Sequence, residues 1–303
     1  MQAIAYYLSL PFIYFFSLLP LPVLYFISDV LVYPVLYYVV GYRKKVVRTN
    51  LERSFPGKSQ NELRQIEKKF YRFLSDLFME TVKFFTISKA SLQRRFLISD
   101  DFTYFEKWFD ENKSYVLTLG HYANYEWLAL SLDFMGSHQG KGPFRKMSNP
   151  YFNDLFLKAR SKFGTVLFPT YETMNELKKE SPKPFNITLA NDQSAPPKRA
   201  YWTTFLNQDT SFFIGTEKIA KDMEMPVVFA NIERVKRGYY SVSFDLITEF
   251  PMQEETGVIM EKHARLLEKQ IQKQPEFWLW SHRRWKHQKP KGLEKGFSIL
   301  KKS

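Results

Sequence analysis

The chain has 303 residues, of which 45% are apolar and 25% charged, and it is basic, with 44 Lys and Arg against 31 Asp and Glu. This balance is typical of a folded chain and excludes a mostly disordered one, and the length suits one catalytic domain with an appendage. Cysteine is absent, which excludes disulfides, thiolate metal sites, iron–sulfur clusters and a cysteine nucleophile.

The charges are distributed unevenly along the chain. All 44 basic residues lie beyond residue 42, and residues 1–42 contain a single charged side chain, Asp29. A basic body of this size attracts phosphate groups, whether they belong to nucleic acid, to anionic lipid or to an acidic carrier. Net charge alone leaves these three partners open.

The first predicted element is the uncharged, aromatic-rich stretch of residues 1–28. It is about as long as a helix needs to cross a bilayer core of roughly 30 Å. Pro20 and Pro22 interrupt it, so the sequence predicts a span near 3–19 and a second apolar helix near 22–41. A basic n-region and a small-residue cleavage site are missing, which favours a membrane anchor over a cleaved signal peptide.

Basic residues follow the apolar block at once, over 43–48. Because positive charge is retained on the cytoplasmic side of a membrane, we expect the C-terminal portion to face the cytoplasm. Whether the second apolar helix spans the bilayer or lies in its interface stays open. A buried core helix is the alternative interpretation of the whole segment.

The remainder of the chain is predicted to be an α/β domain. Residues 46–90 are predicted to be helical, with a break at 50–59 and an amphipathic helix over 61–85. Beyond them, short β-rich runs alternate with helical ones, which indicates a mixed, partly parallel sheet flanked by helices. The predicted strands are 115–119, 165–168, 186–190, 226–232 and 239–246. The predicted helices lie near 123–135, 150–163, 171–180, 214–223 and 254–273. The predicted organisation is therefore a membrane anchor with an interfacial helix over 1–42 and an α/β domain over 43–303.

His121 is the first candidate for chemistry. It follows Gly120 at the end of a predicted strand, and Glu126 lies five positions on, in the first turns of the next helix. A loop histidine can fold back over a helix start, so we expect Glu126 to accept from Nδ1–H and to leave Nε2 free to take a proton from an alcohol. The carboxyl ends of strands are also where α/β proteins bind ligands. The alternative is a histidine satisfied by backbone groups at a strand end.

The same spacing recurs at His263 and Glu268, inside a run of helix formers. At about 100° per residue, two side chains five positions apart lie about 140° apart on a helix and cannot meet. The sequence contains no G-x-S-x-G, P-loop, G-x-G-x-x-G or H-E-x-x-H motif. A His–Glu base without a nucleophile indicates direct transfer to an acceptor hydroxyl or amine, without a covalent enzyme intermediate.

Several motifs follow one another in a fixed order. After the apolar block and the basic residues come Asn50-Leu51, Phe55-Pro56, His121-Tyr-Ala-Asn-Tyr-Glu126, Arg145-Lys146, Arg160-Ser-Lys-Phe-Gly164, Asn191-Asp192-Gln193 and the segment 275–286. This ordered set resembles the bacterial late lipid A acyltransferases, within the lysophospholipid acyltransferase superfamily, over nearly the whole chain.

The resemblance implies a glycerolipid acyltransferase-like fold and an acyltransferase of lipid A biosynthesis at the inner membrane. It implies that His121 deprotonates the hydroxyl of an acyl chain on a glucosamine lipid. That oxygen would attack the thioester of acyl-acyl carrier protein, while Glu126 stabilises the imidazolium. The partners implied are acyl carrier protein, a lipid A precursor and the membrane, with no nucleic acid, no cofactor and no metal.

The resemblance also supplies candidate substrate-binding residues. They are Asn124, Arg145, Lys146, Arg160, Asp192 and Gln193. The three basic ones are expected to bind lipid phosphate or to support the oxyanion, because a guanidinium fork matches phosphate geometry. Asp192 is expected to orient Arg160 or the acceptor, and Gln193 to donate to a carbonyl. The alternatives are solvated surface charges, a charge at a helix end and loop caps.

Two other functions stay open at this point. One is an acyltransferase of the same fold that acts on another lipid, such as an amino-acid lipid or a glycolipid. The other is a non-catalytic, basic, membrane-tethered protein that binds nucleic acid or anionic lipid, for which replacing His121 by alanine would leave activity unchanged.

Overall fold

Two apolar helices begin the chain. Helix α1 covers Gln2–Leu18, and helix α2 covers Leu21–Ile27 and is prolonged by π-helical turns that end at Val39. Pro20 precedes α2 and, because its ring removes a backbone donor, separates the two helices. The predicted segments near 3–19 and 22–41 are confirmed as helices, and a membrane span over the first of them stays a prediction. The computed structural model describes residues 2–98, 103–134, 136–293 and 295–298, so the end of the predicted domain, 299–303, lies outside the described residues.

The amphipathic helix predicted over 61–85 is present as α4. Helix α3 covers Lys44–Ser54 and α4 covers Gln60–Phe84. At the start of α4 the side chain of Ser59 accepts from the Glu62 N–H, and the Glu62 carboxylate accepts from the Ser59 N–H at 2.8 Å. This reciprocal cap satisfies two backbone donors that the first turn of a helix leaves unpaired.

The rest of the chain forms a layered α/β body. The elements after α4 are, in chain order, α5 (Lys89–Arg95), β1 (Phe96–Ile98), α6 (Thr103–Asp110), β2 (Tyr115–Leu119), α7 (Tyr125–Ser131), β3 (Gln139–Phe144), α8 (Pro150–Arg160), β4 (Val166–Pro169), α9 (Thr173–Leu177), β5 (Phe185–Ala190), β6 (Ala200–Phe205), β7 (Gln208–Phe213), α10 (Gly215–Asp222), β8 (Val227–Lys236), β9 (Tyr239–Thr248), α11 (Val258–Lys273) and β10 (Gly296–Phe297). A seven-stranded sheet has the order β1-β9-β8-β2-β5-β3-β4, and β10-β6-β7 form a second, antiparallel sheet.

The large sheet is mixed, as the sequence predicts. Strands β2, β5, β3 and β4 are parallel neighbours and β2 is also parallel to β8, whereas β8 and β9 form an antiparallel hairpin. Strand β2 matches its predicted bounds of 115–119 at both ends. The carboxyl ends of the parallel strands meet at one edge, where ligand sites of such sheets are built.

Several strands have no signal in the sequence. Strand β3 contains Gly140, Gly142 and Pro143, residues that are depleted in strands, and it forms because β5 and β4 flank it on both sides. The β6–β7 hairpin turns at Leu206 and Asn207, both with positive φ. Such turns usually carry glycine, so this one gives no recognisable hairpin motif.

The second apolar helix is part of the main hydrophobic core. Leu21, Leu24 and Tyr37 are buried in the same cluster as the sheet residues, so the predicted boundary at residue 42 does not divide the core into two. Among the described residues, Leu21–Val39 is the one helix long and apolar enough to cross a membrane, judged by length and composition.

Candidate active site

The parallel pairing of β2 and β5 brings two distant segments together. Leu119 pairs with Ala190 at the carboxyl ends of these strands, and His121 and Asp192 each follow two residues later. The Nδ1 atom of His121 lies 2.6 Å from Asp192 Oδ1, and the His121 backbone N–H donates to Asp192 Oδ2 at 2.8 Å. Both carboxylate oxygens therefore hold His121.

A third donor fixes the Asp192 carboxylate. The indole N–H of Trp278 donates to Asp192 Oδ2 at 2.8 Å, in a buried position. Burial by itself raises the pKa of Asp192, but His121 and Trp278 outweigh this effect and hold the pKa well below its usual range. Asp192 is consequently ionised, and its charge faces the imidazole.

The environment of His121 suits a base. Burial lowers the pKa of His121, but the Asp192 carboxylate raises it by more, so the net shift is upward from 6.5. The side chain is 18% exposed, and Nδ1–H points to Asp192, which leaves Nε2 as the acceptor. The amide nitrogen of Gln193 lies 3.2 Å from Nε2 and donates to it. Gln193 was expected to donate to a carbonyl, and the structure places its amide beside the atom that would take the proton.

The position of Glu126 corrects a sequence-based expectation. The carboxylate at His121 Nδ1 is Asp192, whereas Glu126 accepts two hydrogen bonds from Arg160, Nη2 to Oε1 at 2.6 Å and Nε to Oε2 at 3.0 Å. The reason is that Glu126 lies in the first turn of α7 and faces the last residue of α8. Asp192 was expected to orient Arg160 or the acceptor: the first alternative is wrong, because Arg160 pairs with Glu126, and the second stays a prediction. The charges of the pair still reach the imidazole: Glu126 raises the pKa of His121 and Arg160 lowers it.

The turn that carries His121 depends on small residues. A Cβ on Gly120 would lie 2.4 Å from a methyl group of Leu267 and 3.3 Å from Asp192 Oδ2, so the strand end approaches both only as glycine. Ala123 has φ of 48°, a left-handed conformation that costs an L-residue about 1–2 kcal/mol. Its N–H donates to the Phe277 carbonyl at 2.9 Å, which holds the turn in this shape.

Asn124 is not placed to bind substrate, contrary to expectation. The residue is 1% exposed, its Oδ1 accepts from the Trp127 N–H at 2.9 Å, and its Nδ2 donates to Glu80 Oε2 at 2.6 Å. Both polar ends of the side chain are therefore used inside the protein. Asn124 is the N-cap of α7, a position that favours asparagine because it satisfies a free backbone donor.

Arg145 and Lys146 lie at the same sheet edge as His121. They follow the carboxyl end of β3, which is parallel to β5. Both are exposed, and the Lys146 ammonium lies 5.6 Å from the ring centre of Tyr171. Within the described part of the chain, neither forms a hydrogen bond or ion pair with His121, Glu126 or Arg160. Their expected role in phosphate binding stays a prediction.

The C-terminal segment packs behind the site. Arg284 is buried, its guanidinium lies 4.7 Å from the ring centre of Phe212, and none of its three nitrogens has a hydrogen-bond partner among the described residues. Burial lowers the pKa of Arg284 to about 9, and the charge of Asp192 opposes this shift. Arg284 is thus a buried basic group close enough to Asp192 for the charge of Asp192 to influence its pKa.

The second His–Glu pair does not meet. His263 is buried and its Nδ1 lies 3.0 Å from the Thr118 hydroxyl, whereas Glu268 accepts from the Leu206 N–H at 2.5 Å. The prediction that the side chains of His263 and Glu268 cannot meet on one helix is confirmed. In the ranges that the structure describes, no group of three or more His, Asp or Glu side chains is arranged to hold a metal ion.

A cavity of about 280 Å³ adjoins the site. It reaches Glu126 and Tyr125, and the Tyr125 ring lies edge-on to His121 at 4.8 Å between ring centres. Helix α4 supplies much of the apolar lining. The apolar lining residues include Leu74, Leu77, Phe78 and Leu279. The candidate site therefore combines an imidazole, a fixed carboxylate and a cavity with a partly apolar lining.

This combination suits the transfer of an acyl chain, and a comparison with known families decides the class. The model of the bacterial lipid A biosynthesis acyltransferases matches residues 1–287. The chain belongs to that family. It is thus an acyltransferase that acts on lipid A-like substrates, and the resemblance drawn from the ordered motifs is confirmed. A search of curated proteins gave no match.

In this acyltransferase's candidate site, nothing in the sequence indicated the contact made by Trp278, and Asp192 was predicted as a substrate-binding residue and not as the partner of His121. The role of Asp192 beside His121 requires the adjacency of β2 and β5, which no local pattern gives. Trp278 lies in the segment 275–286 noted for its resemblance, but its contact with Asp192 spans 86 positions. The available signal was the position of Asp192 directly after a predicted strand.

Proposed function

We propose that this acyltransferase moves a fatty acyl chain from acyl-acyl carrier protein to a hydroxyl group of a lipid A precursor, with His121 as the general base. The observation that carries the proposal is the 2.6 Å contact between His121 Nδ1 and Asp192 Oδ1. It fixes the tautomer whose Nε2 accepts a proton once the Gln193 amide moves away, at a partly exposed position next to Tyr125, which lines the groove.

The proposed reaction is an addition–elimination at the thioester carbonyl, without a covalent enzyme intermediate. As the acceptor hydroxyl attacks the thioester carbonyl carbon, its proton passes to Nε2 of His121, and a tetrahedral intermediate forms. Collapse of this intermediate breaks the carbon–sulfur bond, and the imidazolium returns the proton to the leaving thiolate. The products are the new ester and the free thiol of the carrier protein.

Asp192 and Gln193 have distinct parts in this scheme. Asp192 stabilises the imidazolium, and general-base help of this kind contributes about 10²–10⁴-fold. The Gln193 amide, 3.2 Å from Nε2, releases the imidazole to the acceptor hydroxyl and then donates to the developing oxyanion. Loss of one such donor typically costs about 10²–10³-fold in rate.

The Glu126–Arg160 pair supplies a fixed cation at the site. A guanidinium held by two hydrogen bonds retains its orientation, whereas a free arginine samples many rotamers. Arg160 is one third exposed on its side chain and binds an anionic group of the acceptor or the oxyanion. Arg145 and Lys146 extend this positive edge toward solvent and bind lipid phosphate.

The apolar groove receives a fatty chain. Its walls come from α4 and from Leu279, and Tyr42 and Arg43, directly after the second apolar helix, also line it. This lining supports entry of a fatty chain beside the N-terminal helices, with the groove opening at the membrane surface. Water is kept from the thioester by the same apolar walls.

Exposed apolar side chains on the two N-terminal helices support a membrane anchor. On α1 they include Ile4, Tyr7, Leu8, Phe12, Phe15 and Leu18, and on the second apolar helix Val23, Phe26, Val30, Leu31, Tyr38 and Val39. An apolar patch of this extent on a protein surface marks a membrane or partner interface. The basic residues of 43–48 support a catalytic body on the cytoplasmic side of the inner membrane.

The donor is proposed to be an acidic carrier protein because the body beyond residue 42 holds all the basic residues of the chain. Opposite charge accelerates encounter and orients the two proteins. The same charge attracts anionic headgroups at about 1 kcal/mol per basic residue near the surface.

The decisive experiment uses the purified full-length enzyme in mixed micelles with acyl-acyl carrier protein. Acceptors are a lipid A precursor that lacks one secondary chain, an amino-acid lipid and a glycolipid, with product masses read by mass spectrometry. We expect a one-chain mass gain on the lipid A precursor and its loss with His121→Ala. A gain on another acceptor alone would overturn the substrate, and unchanged transfer by His121→Ala would overturn the chemistry.

The donor and the cellular role have separate tests. Acyl-CoA in place of the acyl carrier thioester is expected to react at least about tenfold more slowly if carrier docking lowers the barrier by roughly 1.4 kcal/mol. In cells that lack the protein, lipid A is expected to lose one acyl chain. An unchanged acylation pattern would contradict the proposed substrate.

A further inference from the structure

A buried carboxylate outside the catalytic group connects three parts of the molecule. Glu80, on α4, has no exposed surface. Its Oε1 accepts from the Tyr25 hydroxyl at 2.7 Å, and its Oε2 accepts from the Tyr240 hydroxyl and from Asn124 Nδ2, both at 2.6 Å. The three donors come from the second apolar helix, from β9 and from the active-site turn.

The contact with Asn124 reaches the active site in one step. Asn124 caps α7 through its other polar atom, which accepts from the Trp127 N–H. Helix α7 starts with Tyr125, whose ring packs on His121, and with Glu126, which holds Arg160. A rotation of the Asn124 side chain would therefore move the residues that flank the base.

A carboxylate at this buried position is costly for stability. Removing an acid from water requires full hydrogen bonding to compensate, and an apolar residue of similar volume is often no less stable. Burial raises the pKa of Glu80, and the bonds from Tyr240 and Tyr25 oppose this shift without cancelling it. What a carboxyl group provides here, and an apolar side chain does not, is a fixed direction for the donors of Asn124 and Tyr25.

We propose that Glu80 is a positioning residue for acyl transfer. Because Glu80 binds both Tyr25 and Asn124, the conformation of the active-site turn depends on the position of the second apolar helix. The inference rests on the proposed function for its kinetic readout. It predicts that the N-terminal segment affects the rate at a folded site as well as membrane attachment.

The neighbouring carboxylates serve as comparisons. Asp76, one turn earlier on α4, accepts from the Ser28 hydroxyl at 2.8 Å and pairs with Arg234 at 2.7 Å, so it also ties the second apolar helix to α4. Glu67, also buried on α4, pairs with Arg48 at 2.8 Å. Glu67 has no contact with the active-site turn among the described residues, which makes it a matched control.

The first test reverses the hydrogen bond between positions 80 and 124. Asn124→Asp keeps the acceptor that caps α7 but sets one carboxyl group against another, so we expect kcat to fall about 10²-fold, the size of effect known for small misplacements of reacting groups. Adding Glu80→Gln supplies an amide that donates to the new carboxylate. We expect the double variant to recover at least tenfold of this loss, with KM little changed throughout.

Glu80→Leu separates positioning from stability, with Glu67→Leu as its control. Both variants lose a buried carboxylate, so both are expected to lower the midpoint of thermal unfolding. Assayed well below those midpoints, Glu80→Leu is expected to lower kcat while Glu67→Leu retains it. Equal loss of kcat in both variants, or no recovery in the double variant, would overturn the proposal.

The dependence on the second apolar helix has its own pair of variants. Tyr25→Phe removes the hydroxyl that Glu80 accepts, and Tyr33→Phe makes the same change on the same helix without that contact. We expect both to bind vesicles like the wild type and only Tyr25→Phe to lower kcat, by several-fold. Equal kcat in the two variants would refute the link.

Hydrogen exchange tests the same inference without any assay of transfer. In the full chain in micelles, Glu80→Leu is expected to accelerate amide exchange in α7 and in the turn of the second apolar helix that contains Tyr25. Glu67→Leu is expected to leave both rates unchanged. If the wild type fails to acylate a lipid A precursor, the proposed function is lost, yet the exchange comparison still decides the role of Glu80. Unchanged exchange in α7 would overturn it.

Discussion

Asp192 Oδ1 lies 2.6 Å from His121 Nδ1 although the two residues are 71 positions apart in the sequence. The contact forms because the neighbouring parallel strands β2 and β5 end side by side, and each of the two residues lies two positions beyond its strand end. The same carboxylate also accepts from the His121 backbone and from Trp278. One buried carboxylate, Asp192, therefore orients the His121 imidazole and raises its pKa.

This contact predicts the pH dependence of the reaction. As the proposed base, His121 acts only as neutral imidazole, and its pKa is raised above 6.5, so kcat/KM should increase with pH through a pKa above that value. Asp192→Asn removes the anion that raises the pKa, so the acid limb should move to lower pH while the plateau falls by about 10²-fold or more. Steady-state rates across the pH range measure both effects.

Glu126→Gln is the control for that experiment. Glu126 contributes a smaller upward effect on the pKa of His121 than Asp192 does, so the acid limb should move less than in Asp192→Asn. A larger displacement of the limb in Glu126→Gln would restore Glu126 as the partner of the base.

The Glu126–Arg160 ion pair is expected to act as one unit. Hydrogen bonds to charged groups contribute roughly 1.5–3 kcal/mol, so Arg160→Lys and Glu126→Gln should each lower kcat/KM by about tenfold or more. The double variant should lose little beyond either single change, because both remove the same pair. Additive losses would indicate independent roles, and a double-mutant cycle on kcat/KM distinguishes the two outcomes.

Gly120 is expected to tolerate no side chain. A Cβ there would lie 2.4 Å from Leu267 and close to Asp192, and overpacking of this kind typically costs about 1–3 kcal/mol. Gly120→Ala should lower both the free energy of unfolding and kcat. Gly57→Ala, where nothing lies within 4 Å of the added atom, is the control and should leave both unchanged.

Ala123 offers a stabilising substitution next to the base. Its φ of 48° is left-handed, a conformation that glycine adopts without the penalty of about 1–2 kcal/mol that an L-residue incurs. Ala123→Gly should therefore raise the free energy of unfolding by up to that amount. Ala129→Gly, inside α7, should lower the free energy of unfolding by about 0.5–1 kcal/mol. Denaturant unfolding measures both variants, and effects of the opposite sign would contradict the left-handed conformation of Ala123.

The proposed anchor predicts a selective loss of membrane binding. Phe12 and Phe15 on α1 are 66% and 62% exposed. Replacing both with aspartate should reduce co-sedimentation with anionic vesicles, since burying an apolar side chain contributes roughly 1.5–3 kcal/mol. Phe250→Asp changes a phenylalanine that is 56% exposed and far from the N-terminal helices in the sequence, and it should leave binding intact. Equal loss in both proteins would contradict the anchor.

Much of the fold could be predicted because its signals are local. An uncharged run, the amphipathic periodicity over 61–85 and a short apolar run at 115–119 each specify an element from neighbouring residues alone. Strand β3 and the β6–β7 hairpin could not be predicted, because neighbouring strands, and not their own composition, hold them in place. The ordered motifs were sufficient for the family, which the family model then confirmed.

The candidate site shows the same difference between local signals and contacts that the tertiary structure creates. The sequence by itself determined that His121 ends a strand beside an acidic helix start, and that the N-terminal segment is apolar. Only the tertiary structure decided that Asp192 faces His121, that Arg160 holds Glu126 and that Asn124 is buried on Glu80. The physical reason is that periodicity and spacing describe contacts along one element, whereas the order of strands in the sheet sets which loop ends meet.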